Sequence, residues 1–157
     1  MQARRRAVRL PARAFAGMLA LVAVLASAEP STAEIDPFGQ ATSGLAACPV
    51  VKPRLLTPQE MRVEAHVRAE RGTRCGMDGT CEAGGAYRRD PEINAQVIAA
   101  IGADKRFRDT SVWVTTSRRW VTLQGCVRSS AQQKALVAFV ARQPRVERVF
   151  DELSIAR

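Results

Sequence analysis

The residues that could do chemistry are few, and their spacing limits what they could do. Cys48, Cys75, Cys81 and Cys126 are the only cysteines, and His66 is the only histidine. A zinc centre would draw on this set, but its ligands usually come in close pairs such as C-x2-C, and Cys75 and Cys81 have five residues between them. Thiol redox catalysis meets the same obstacle, since no C-x-x-C pair occurs. Asp90, Asp104, Asp109 and Asp151 are scattered over caps and loops. No serine lies in a nucleophile elbow, and no phosphate-binding loop is present. The expectation is a chain with no catalytic residue, no metal and no cofactor.

An even number of cysteines instead suits disulfides, which persist in exported proteins. Several pairings are open. The turn-forming segment Gly76 to Thr80 could bring Cys75 to Cys81, which leaves Cys48 to reach Cys126. Export is expected from the first residues: Arg4, Arg5, Arg6, Arg9 and Arg13 precede an uncharged apolar run from Ala14 to Ala26, closed by Ala26-Ser27-Ala28. This is the pattern of a signal peptide over residues 1–28, cleaved near Ala28 or at a second small-residue site near Ala33. The run is short for a bilayer span. The paired arginines raise twin-arginine export, but no further context supports that route. Leu45-Ala46-Ala47-Cys48 resembles a lipoprotein processing box. Glu34, Asp36, Pro37 and Gly39 separate it from the apolar run, so Cys48 is expected to stay unacylated.

Removing the leader changes the charge. The formal net charge of +9 includes its five arginines, and the remainder sets 19 basic residues against 15 acidic ones. Residues 29–89 balance at eight of each sign, whereas residues 90–157 hold eleven basic and seven acidic residues. Such an excess favours an anionic lipid surface and gives no sign of a nucleic-acid partner.

The elements follow from caps and periodicity. Residues 29–57, rich in Pro, Gly, Ser, Thr and Ala, read as an extended arm. Residues 58–89 read as a helix plus a cysteine-containing loop. Thr57-Pro58-Gln59-Glu60 is a helix start, and the helix should run to about Arg71 with Gly72 as its stop. Met61, Ala65 and Ala69 give it a thin apolar stripe, Glu64 and Arg68 have ion-pair spacing, and His66 falls on a polar side. Asp90-Pro91-Glu92 repeats the start logic with Asp90 as the cap. Ile93, Val97, Ala100 and Ile101 follow at helical spacing, and Phe107 is expected to be an apolar plug.

Ser111 to Val127 reads as two strands joined at Arg118-Arg119. Val112, Val114, Val121 and Leu123 share one face; Trp113, Trp120 and Cys126 point the other way. A third helix, capped by Ser129 or Ser130, buries Ala135, Leu136, Phe139 and Val140 and stops at Pro144. A last strand from Val146 to Ile155 sets Val149, Leu153 and Ile155 against Phe150 and Glu152. The expected fold class is α+β: two helices packed on one face of a small three-stranded mixed sheet, in the order α-β-β-α-β, with a disulfide-stapled N-terminal extension. A Cys48–Cys126 bond would draw the arm across Trp113, Trp120 and Phe150. The rival is an open aromatic face for a membrane or partner.

Val121-Thr122-Leu123-Gln124-Gly125-Cys126-Val127 is similar to the V-T-L-x-G-x-V strand of the BON domain, the bacterial osmotic-stress and nodulation module. Val146 to Leu153 is similar to the family's V-x-x-V-x-N-x-L ending; the resemblance spans Asp90 to about Ile155 in a single copy, within a BON-like domain over residues 90–157. The family usually has glycine at the hairpin tip and before the final strand, where this chain has Arg119 and Arg145. Asp151 takes the asparagine position. Arginine suits a two-residue turn of positive φ poorly, which predicts a longer loop. The resemblance implies a non-enzymatic periplasmic envelope protein that associates with phospholipid. Arg118 and Arg119 at the tip, with Lys105, Arg106 and Arg108 on the preceding loop, are the candidate contacts. The alternative is a structural accessory subunit of an envelope assembly that does not touch lipid. Neither reading fixes an oligomeric state.

Overall fold

A computed structural model describes residues 32–82 and 85–156 of the chain. The expected signal peptide, with its Ala28 cleavage position, lies outside the described residues. The elements are β1 (Ala33–Glu34), β2 (Phe38–Ser43), β3 (Leu55–Leu56), α1 (Pro58–Met77), α2 (Asp90–Ala103), a short 3-10 turn (Lys105–Phe107), β4 (Ser111–Ser117), β5 (Trp120–Val127), α3 (Ser130–Val140) and β6 (Arg148–Ile155).

Period-two alternation in β4 and β5 separates the two faces of the central hairpin, since successive side chains of a strand point to opposite sides. Val112, Val114, Val121, Leu123 and Val127 form one core with Ile93, Val97 and Ile101 of α2 and Leu136 and Val140 of α3. Phe107 is the plug beneath them, fully buried, with its ring 5.4 Å from that of Phe139. Leu153 of β6 joins this core and Val149 packs against it, whereas Ile155, expected on the same side, is exposed at the strand's end. Ser129 caps α3 by accepting from the Gln132 N–H at 3.2 Å.

Among the described residues the larger of two sheets has four strands in the order β2-β4-β5-β6, not three. β4 and β5 are antiparallel, β5 and β6 parallel. The added strand comes from the arm: β2 pairs antiparallel with β4, Phe38 opposite Thr115 and Ser43 opposite Ser111. Composition alone hid it, because Phe-Gly-Gln-Ala-Thr-Ser has little β propensity and is held by partners far along the chain. Buried Asn94 of α2 donates to the Pro37 carbonyl, the Val114 carbonyl and Thr116 Oγ1, each at 3.1 Å. Gly44 continues the close approach, where a Cβ would stand 2.3 Å from the Arg108 carbonyl oxygen.

Helix α1 runs past Gly72 to Met77, longer than expected. Its Thr57–Glu60 capping box is formed, and Arg68 meets Glu64 at 3.2 Å and Asp36 at 2.6 Å. No residue of α1 is buried. Among the described residues, no helix is long and apolar enough to cross a membrane.

Candidate functional site at the hairpin tip

The β4–β5 connection is a two-residue turn, since Ser117 pairs directly with Trp120. Arg118 and Arg119 take φ of 57° and 63°, the left-handed values that such a turn demands and that the expectation of a longer loop had ruled out. Their backbone is held from outside. The Asp90 carboxylate accepts the Arg118 N–H at 2.8 Å and the Arg119 N–H at 2.7 Å. This corrects a second expectation. Asp90 does not cap its own helix; the N-cap position is Arg89, which makes no side-chain cap bond. Burial raises the pKa of Asp90, and the two backbone N–H groups oppose that shift without cancelling it.

The motif glycine also has a structural reason. Gly125 has φ of 116°, and a Cβ on it would fall 2.1 Å from the Ser111 carbonyl oxygen. Next to it, Cys126 is bonded to Cys48, a link across 78 positions. Cys75 and Cys81 form the other disulfide. The first bond lays the arm over part of the sheet's outer face: Trp113 is buried with Cys48 and Cys126, and Phe38, Leu45 and Val51 pack on them.

Trp120 and Phe150 escape that cover. Their rings meet edge to face with centroids 5.7 Å apart. The Arg118 guanidinium lies 4.6 Å over the Trp120 ring, and that of Arg148 lies 5.7 Å from both rings. Neither Arg118 nor Arg148 has an acidic partner among the described residues, and Phe150 is 38% exposed. The outer face is therefore divided into a covered half around Trp113 and an open half where two cations sit on two aromatic rings.

Arg119 is different, since it is paired with Glu147 at 2.6 Å. It belongs to an ion-pair belt in which Arg145 meets Glu92 at 2.6 Å and Arg89 joins Glu82 at 2.8 Å and Glu92 at 3.0 Å. Arg145, the other departure from the family's glycines, also has a positive φ, 64°. The arginines pull the Glu82 and Glu92 pKa values below the ordinary carboxylate value.

The five basic residues expected to act together are divided. Lys105, Arg106 and Arg108 are exposed beside the start of β4, while Arg118 and Arg119 follow its end. The seven residues between, rising about 3.4 Å each, separate the groups by about 24 Å. Arg106 is further engaged by Asp104 and lies 5.1 Å from the Phe107 ring. Arg148 was missed from sequence; its signal was the Arg148-x-Phe150 spacing on the face already assigned to Phe150. His66, exposed, sits 3.3 Å from Glu70 and far from this cluster in the chain's order.

No curated protein and no solved structure matches the chain. Residues 89–157 match the family model of the BON domain, a span that takes in the α2 start, the β4–β5 hairpin and β6 but leaves out β2 and Cys48. Residues 89–157 are thus similar to a BON domain, and the preceding segment adds one strand and one disulfide to the matched region.

Proposed function

We propose that this is an exported, non-enzymatic envelope protein whose BON domain associates with the anionic phospholipid surface of a membrane from the periplasmic side. The observation that carries the reading is the open cluster of Arg118, Trp120, Arg148 and Phe150. Aromatic side chains with one apolar body and one polar edge favour the headgroup region of a bilayer, and a basic residue near an anionic leaflet adds about 1 kcal/mol of attraction. The Trp120 ring and the two arginines stacked against it supply both terms at one place. The domain's excess of basic residues and its match to a family model often linked to membrane and envelope proteins support the same reading.

Flotation with vesicles tests it. Anionic vesicles should carry the protein, neutral ones should not, and the R118Q/R148Q variant should lose most of the binding. Equal failure to bind either kind of vesicle removes the lipid reading. A second reading, an accessory subunit of an envelope assembly, is favoured by α1, whose Val63 and Met77 are exposed on a helix with no buried residue. Recovery of a stable protein complex that forms without lipid and is broken by V63D would favour it.

A further inference from the structure

The two edges of the sheet are finished differently. β2 carries a register shift between Gln40 and Thr42, an irregularity that bends an edge and discourages an added strand. β6 is regular over Arg148–Ile155 and, among the described residues, pairs on one side only, with β5. The Ala156 N–H donates to the Val127 carbonyl, so the alternation of a parallel ladder turns the even-numbered backbone groups of β6 toward β5 and the odd-numbered ones outward. One outward position is occupied. The Leu153 N–H donates to the Asp151 carboxylate, and its carbonyl accepts from Gln133 Nε2. The backbone groups of Val149 and Asp151 have no such partner among the described residues.

We propose that β6 pairs with β6 of a second copy of this chain, antiparallel about a two-fold axis at Phe150, to make one continuous eight-stranded sheet. In this register Val149 of each copy faces Asp151 of the other, which uses the open backbone groups and leaves Leu153 out. The even-numbered side chains on the outer face then meet at the closely spaced, non-hydrogen-bonded positions. Arg148 falls opposite Glu152, Phe150 opposite Phe150, and Glu152 opposite Arg148. The strand is self-complementary in charge, and Phe150 is exposed and available.

Neighbouring registers do worse. An axis at Asp151 sets like charges against each other and requires the occupied Leu153 to bond with Val149. An axis at Val149 sets Arg148 against Phe150. The inference rests on the strand edge and not on lipid binding, and its test contains no lipid, so the two readings fail separately.

Sedimentation equilibrium over a concentration series, on protein with both disulfides formed, gives the dimer constant. R148E places two acids opposite each other twice and should weaken dimerisation about tenfold or more, as should E152R. R148E/E152R restores opposite charges and should return the constant to within about threefold of the starting protein. F150C should form a disulfide between copies, since a non-hydrogen-bonded pair at about 4.5 Å between Cα atoms lies within disulfide reach. Each variant is checked for an unchanged thermal transition. A protein that is monomeric at every concentration up to about 1 mM, a dimer indifferent to R148E, or a folded double variant no better than R148E would overturn the proposal.

Discussion

The carboxylate of Asp90 accepts the backbone N–H of Arg119 at 2.7 Å, across 29 positions of sequence. With the matching bond to Arg118, this first residue of α2 fixes the turn that presents Trp120 and its stacked arginines. Asp90 is almost fully buried, so both bonds form away from water, where losing a partner is most expensive. Asp90→Ala should therefore destabilise the domain by about 2–4 kcal/mol, read by urea denaturation. A loss below about 0.5 kcal/mol would show that the turn holds itself.

The same residue sets a pH dependence with a defined sign. Burial raises its folded pKa above the unfolded value. The stability linked to its protonation is then fully present below the unfolded pKa, about 3.9, and is lost as pH rises through the folded value. The stability of the protein relative to Asp90→Asn, which does not titrate, should fall with rising pH across that window. Glu82 and Glu92, whose pKa values are lowered by Arg89, act oppositely: their contribution is present above the unfolded carboxylate pKa and is lost as pH falls through the folded values. Pairwise comparison with Asp90→Asn separates the two trends. A relative stability that climbs with pH would contradict the assignment to burial.

Stability and binding should come apart at the turn. Left-handed backbone costs a residue with a Cβ about 1 kcal/mol or more, and asparagine-glycine suits this turn type. R118N/R119G relieves that strain but removes the Arg118–Trp120 stack and the Arg119–Glu147 pair. The expected outcome is a net gain of about 1 kcal/mol in denaturation, because the lost contacts are worth less than two strained residues. Binding to anionic vesicles should weaken in the same variant. A variant that is both less stable and equally well bound would contradict the division of roles.

The two disulfides should behave differently on removal. Chain-entropy reasoning gives about 4–5 kcal/mol for the Cys48–Cys126 link across 78 positions and about 2 kcal/mol for Cys75–Cys81 across six. Only the first covers a tryptophan. C48S/C126S should red-shift the emission of Trp113, which is 5% exposed in the intact protein, whereas C75S/C81S should leave it in place. Equal spectra for both variants would mean that the arm stays on Trp113 without its staple.

Much of this protein was written locally. Alternation assigned Val112, Val114, Val121 and Leu123 to one face and Trp113, Trp120 and Cys126 to the other, because strand side chains alternate whatever surrounds them. The Thr57–Glu60 box and the Ile93, Val97, Ile101 spacing marked helices for the same reason: each signal lies within a few residues. The strand Phe38–Ser43 could not be read this way, since its stability comes from β4 and Asn94, more than fifty positions away. Nor could the tight turn at Arg118-Arg119, where local preference argues against the conformation and a distant carboxylate imposes it. The basic residues were legible as a group by count alone; the length of β4 decided that they stand at opposite ends of it. Sequence thus determined which residues share a face, a property of backbone period. Tertiary structure decided which faces are covered and which turns are strained, because both depend on energy supplied by partners remote in the chain.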